Sequence, residues 1–175
     1  MTNTLPEVWL RGPLPDIPPL LQPVAHGLLQ CREELHAHVP GLTSERIWVQ
    51  PWGAASIGFH VRHAAGSLDR LLTYARGEQL STAQRAALAA EPHPDLAPNP
   101  AGRLLAIFDE AIERALDQLR QTDQATLLDA RGVGRAQLPT TVIGLLFHAA
   151  EHTQRHVGQV VTTIRITAAA QAAVE

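Results

Sequence analysis

Histidines stand in two clusters whose spacing suits metal binding. His60 and His63 lie in the segment GFHVRHAAG, and His148, His152 and His156 lie in FHAAEHTQRHVGQ. Residues four apart on an α-helix share one face at roughly 5–6 Å, so two adjacent imidazoles of the second cluster can chelate one ion. A third imidazole facing them from the first cluster would complete a three-histidine site with open positions for water or substrate.

A mostly apolar segment that carries three such histidines must satisfy their nitrogens, either with an ion or with hydrogen bonds. Periodicity leaves the third ligand open. At about 100° per residue, His60 lies about 60° from the centre of the apolar stripe of its helix and His63 about 120° away, which favours His60. However, the small residues Gly66 and Ser67 could open a pocket beside His63. We assign the other histidines no ligand role: His26, His36, His38 and His93.

Four amphipathic helices are predicted to position these clusters. The first runs from about residue 23 to about 40, and the second from Ile57 to about Arg76 with Ser56 as its N-cap. The third covers about 101–119. The fourth runs without proline from Val142 to Arg165 or Ile166, and the residues 139–141 before it provide its start signal. We interpret 81–90 as an Ala-rich stretch, 91–100 as a proline-rich loop, and 122–138 as a connection with some extended structure. The fold class is therefore all-α, a four-helix bundle over residues 23–170.

Residues 1–22 are too rich in proline for a helix and are predicted to form an extended arm, anchored by Trp9 and Leu10. The chain has 175 residues and a formal net charge of −3, and its 14 basic residues are all arginine. This charge argues against nucleic acid or a membrane surface as partner. The single cysteine, Cys31, lies on an apolar stripe, so we expect a buried thiol and not a nucleophile. The N-terminus lacks the pattern of a signal peptide, so we expect a cytoplasmic protein.

The stretches SIGFHVRHAAGSLDRLLTYARG and LLFHAAEHTQRHVGQVV together resemble the DinB/YfiT-like superfamily, which are four-helix bundles with a three-histidine metal site. The resemblance spans about residues 20–167 and includes an HxxxH motif followed by Gly158 and Gln159. It implies metal ligands at His63, His152 and His156. The remaining candidates would then lie in the pocket or outer shell: His60, His148, Arg155 and Gln159.

Some members of that superfamily are S-transferases that use bacillithiol, mycothiol or glutathione. The resemblance therefore implies a metal-dependent enzyme, a thiol S-transferase or a hydrolase, acting on a small electrophilic molecule. Its cofactors would be a divalent zinc, nickel, iron or manganese ion and a low-molecular-weight thiol. No general acid or base stands out, because Glu151 points about 100° away from His152. The alternatives are a non-catalytic metal- or ligand-binding bundle and a structural bundle whose histidines only form hydrogen bonds. A homodimer is expected, since the family commonly pairs through its helices.

Overall fold

Four long helices pack into a bundle in the computed structural model, which describes residues 5–95 and 97–172. They are α1 (Gln22–His38), α3 (Ile57–Ala75), α5 (Pro100–Gln121) and α6 (Val142–Ala172). Helices α1 and α3 each pack against both α5 and α6. Therefore α1 and α3 lie diagonally across the core from each other, and so do α5 and α6. The apolar stripes meet in one continuous core, with Phe108 of α5 and Leu146 of α6 fully buried. The predicted all-α bundle is confirmed.

Local signals account for where the site-bearing helices begin. Ser56 accepts a hydrogen bond from the backbone N–H of Phe59 and caps α3, as predicted. Helix α6 begins at Val142, as predicted, and Thr141 caps it, because its Oγ1 accepts a hydrogen bond from the backbone N–H of Gly144. Strand β2 (Leu138–Thr141) pairs there with β1 (Ala130–Val133) in an antiparallel hairpin, so this part of the chain is extended. The helix continues to Ala172, beyond the expected end at Arg165 or Ile166.

Two short helices, α2 (Ser44–Trp48) and α4 (Thr82–Ala90), lie outside the four-helix pattern. Helix α4 packs against α3. Ser81 and Gln84 form a capping box at its start, in which each side chain bonds the other residue's backbone N–H. None of its residues is fully buried, so it has no buried stripe from which periodicity could predict it. Its position matters because its C-cap residue is Glu91, which is buried.

The N-terminal arm is held by different residues from those predicted. Trp9 and Leu10 are 61% and 56% exposed, whereas Val8 and Ile17 are buried. A 3-10 turn at Val8–Leu10 directs only its first side chain inward, and the backbone N–H of Val8 donates to the Gln30 side chain on α1. Of the helices described, none combines the length and apolarity that crossing a bilayer requires.

Candidate metal centre

Helices α3 and α6 bring three imidazoles together. His63 lies on α3, and His152 and His156 lie one turn apart on α6. One nitrogen atom from each ring falls within 4.8 Å of the other two. The Nε2 atoms of His63 and His152 are 3.1 Å apart. Two nitrogen ligands of a tetrahedral zinc ion, each bound at about 2.0–2.1 Å, would be separated by roughly 3.4 Å. The spacing of this pair is therefore close to that of two ligands of one ion.

His60 lies beside this triad. Its Nδ1 is 3.0 Å from Nδ1 of His156, and the residue is only 9% exposed. One of these two nitrogens must donate to the other, so His60 can fix the ring orientation of His156. The periodicity argument favoured His60 because it counted a single buried face of α3. In the fold α3 packs against α4 as well as α5 and α6, so the flank that carries His63 is also covered.

A buried carboxylate binds His63 on the ring nitrogen that faces away from His152. The Oε2 atom of Glu91 is 2.7 Å from Nδ1 of His63, and its Oε1 accepts a 2.6 Å hydrogen bond from Nη1 of Arg70. Burial opposes ionisation of Glu91, but the bonds from His63 and Arg70 outweigh it, so the pKa of Glu91 lies below its usual value. Because a carboxylate only accepts, Nδ1 of His63 is the donor and its Nε2 lone pair faces His152.

Two features of α3 make room for this carboxylate and hold it. A Cβ atom at position 66 would lie 2.5 Å from Oε1 of Glu91, so glycine leaves the space that the carboxylate occupies. Arg62 donates to the backbone carbonyls of Ala90 and His93, on either side of Glu91, at 3.3 and 2.6 Å. Sequence reasoning missed Glu91 because it stands in a proline-rich segment without periodicity. The S-x-x-Q capping box at 81–84 was the available signal for the helix that delivers it.

The environment favours the uncharged form of His60, His152 and His156. Burial, aided by the nearby His63 and His152, lowers the pKa of His156 to about 4. Burial also lowers the pKa of His152 and of His60. Neutral imidazole is the form that binds metals, because it keeps a lone pair. Within the described part of the chain, Nδ1 of His152 is buried and has no hydrogen-bond partner. This set of donors fits a divalent ion that accepts nitrogen ligands.

The other predicted pocket residues lie outside the triad. The His148 ring centre is 5.3 Å from that of His152, and its Nδ1 pairs with Oε1 of Glu151 at 2.6 Å. Arg155 bonds the other oxygen of Glu151 at 2.7 Å and is exposed. Gln159 is also exposed on α6. His148 therefore stands at the rim of the cluster, while the side chains of Arg155 and Gln159 face solvent.

Comparison with known proteins gives a family and a fold. A sequence profile described as the DinB superfamily matches residues 28–160. The crystal structure of a conserved protein from Enterococcus faecalis aligns with a TM-score of 0.67 at 17% identity, covering 83% of this chain and 95% of that one. At this identity the likeness concerns the fold alone. None of the curated proteins matches the chain.

Proposed function

Because the chain belongs to the DinB superfamily, we propose that it is a metal-dependent enzyme that transfers a thiol to a small electrophilic molecule. Family membership and the histidine triad fit a metal-binding protein. The observation that carries the proposal further is the convergence of His63, His152 and His156, with a carboxylate behind the first. Outer-shell carboxylates of this kind orient metal-binding imidazoles.

A divalent ion held by three neutral imidazoles retains its positive charge, which lowers the pKa of a thiol or water bound beside it and polarises an electrophile. The protein's part is to orient the imidazoles: Glu91 fixes the tautomer of His63, and His60 contacts His156. The nucleophilic sulfur must come from a second molecule. Cys31 is buried, and burial raises the pKa of its thiol to about 12.

The proposal favours a thiol over water as the nucleophile. Hydrolysis commonly needs a side chain that gives a proton to the leaving group. Glu91 is already bonded to both His63 and Arg70, and Glu151 is bonded to His148 and Arg155. Displacement of a leaving group such as chloride by a thiol needs no such donor. Sulfur bonds to the electrophilic carbon, chloride leaves with the electron pair, and the thiol proton goes to solvent.

The first experiment measures metal content in protein purified without a histidine tag. We expect about one equivalent of divalent metal per chain, and none in the triple alanine variant of His63, His152 and His156. The matched control is the triple alanine variant of His26, His38 and His93, which loses as many imidazoles from outside the cluster and should keep the metal. No metal in the unaltered protein after incubation with zinc, nickel, iron or manganese salts would refute the proposal.

The second experiment measures turnover of the metal-loaded protein. Glutathione, bacillithiol or mycothiol would be supplied with 1-chloro-2,4-dinitrobenzene, and the thioether followed by absorbance. We expect a rate that needs both thiol and metal and is lost in His152→Ala. A protein that binds one equivalent of metal but gives no thioether with any thiol and a panel of electrophiles would favour the non-catalytic binding role instead.

A further inference from the structure

A cavity of about 280 Å³ opens beside the metal centre. His63 and His152 are among the residues that line it. The remaining walls come from α3 and from the segment that ends in α4. Besides Ser67, whose hydroxyl donates to the carbonyl of Ala64, they are formed by Leu71, Tyr74, Leu80 and Leu88. We propose that this cavity receives the apolar body of the substrate, while a single sulfur or other metal-binding atom of the same molecule points to the histidines. This inference rests on the proposed function, because it deepens the description of the same site.

The charges that border the cavity are already paired. Arg70 lines it but gives its Nη1 to the buried carboxylate of Glu91. His148 lines it but pairs with Glu151. A sugar or a charged peptide placed against three leucines would lose its hydration and gain few partners, which is costly. An aromatic or aliphatic body would instead gain from leaving water. The walls therefore select an apolar ligand.

The volume limits the size of that ligand. An apolar cavity of about 150 Å³ holds benzene, so about 280 Å³ corresponds to roughly ten to twelve non-hydrogen atoms. One aromatic ring with a short arm fits this limit, and the arm would reach the imidazoles that line the cavity. Glutathione and its analogues exceed the limit and are strongly polar. Their bulk would have to lie outside the cavity.

The test uses cobalt(II)-loaded protein and two thiols, phenylmethanethiol and 2-sulfanylethanol. Binding of each thiol is followed through the visible absorption of cobalt in the absence of oxygen. We expect phenylmethanethiol to bind at least tenfold more tightly. Leu88, which is 41% exposed, can be changed with little risk to the core. Leu88→Asn should weaken binding of phenylmethanethiol about fivefold, the effect of losing roughly 40 Å² of apolar contact, and leave 2-sulfanylethanol unchanged.

The matched control is Ile166→Asn, because Ile166 is 39% exposed on α6 and is not among the cavity's lining residues. It should leave both affinities unchanged. Equal affinity of the two thiols, or the same loss of affinity for both in Leu88→Asn, would overturn the inference about the cavity. Either result would leave the metal site supported, because it is obtained on protein that binds cobalt. A second measurement is independent of metal: in metal-free protein, phenylmethanethiol should shift the methyl resonances of Leu71, Leu80 and Leu88 but not of Leu138. Absence of these shifts would also overturn it. Failure to bind cobalt or any of the zinc, nickel, iron and manganese ions would refute the proposed function separately.

Discussion

Replacing Glu91 by glutamine tests whether the buried carboxylate strengthens the metal centre. Removing an outer-shell partner of a metal-binding histidine typically costs 10–100-fold in metal affinity. Here the carboxylate is 4% exposed and its contact with His63 is 2.7 Å, so little water is present to replace it. We therefore expect Glu91→Gln to weaken zinc binding about 30-fold, which corresponds to about 2 kcal/mol.

The geometry of the amide explains why glutamine cannot substitute. If its oxygen accepts from Arg70, its NH₂ group faces Nδ1 of His63 and donates to it. The proton of a neutral His63 then moves to Nε2, the atom that faces His152, and blocks metal binding there. If the amide is flipped, its NH₂ group faces the Arg70 guanidinium, and two donors oppose each other. The first orientation holds His63 in the tautomer that cannot bind the metal through Nε2, and the second leaves a buried donor without an acceptor.

The assay is a competition titration of zinc against a chromogenic chelator. Glu91→Gln also leaves Arg70 without its negative partner, so urea unfolding of the metal-free protein must be measured in parallel; we expect a loss of about 2–3 kcal/mol in the free energy of unfolding. The control is Glu33→Gln, which removes a carboxylate paired with Arg11 near the surface and should leave zinc affinity unchanged. A folded Glu91→Gln protein whose zinc dissociation constant lies within twofold of the original would refute the reasoning.

Three further predictions concern single positions. Gly66→Ala should displace the Glu91 carboxylate and weaken zinc binding at least tenfold in the same titration. The control is Gly158→Ala, where an added Cβ meets nothing within 4 Å; it should keep zinc affinity and stabilise α6 by about 0.5–1 kcal/mol. Equal effects of the two variants on zinc affinity would contradict this prediction. Cys31 should resist Ellman's reagent at pH 8 until the protein unfolds, and rapid labelling of the folded protein would count against this. Folding raises the pKa of the thiol from an ordinary 9.0 to about 12, so the unfolded chain ionises first and stability should fall as the pH rises from about 9 towards 12. His148→Ala should leave the metal stoichiometry unchanged, and loss of the metal would make His148 a ligand.

The bundle could be predicted because its helices carry their own signals. Ser56 marks the start of α3, and the repeated apolar residues of α5 mark its buried face. The anchors of the arm could not be predicted, because a 3-10 turn decides which of Val8, Trp9 and Leu10 turns inward. Nothing in the local sequence distinguishes the first of three consecutive apolar residues from the other two. Tertiary contact with α1 makes the choice.

For the site, spacing alone predicted that His152 and His156 share a face, since both lie on one helix. The partner on α3 depends on which flanks of that helix are covered, and periodicity of α3 cannot report what packs on its second side. Glu91 illustrates the same limit. It is buried through contacts with His63 and Arg70, which precede it in the chain by 28 and 21 residues. No periodic pattern connects residues at such separations.

One short helix links the metal centre to the cavity. Helix α4 supplies Leu88 to the cavity wall and ends at Glu91, which bonds His63. Because none of its residues is fully buried, α4 depends on its capping box and on the contacts that Arg62 and Arg70 make at its far end. A change in its position would alter the shape of the cavity and the orientation of a metal-binding ring together. The segment between α3 and α5 is therefore where substitutions can tune ligand selection and metal affinity without disturbing the bundle core.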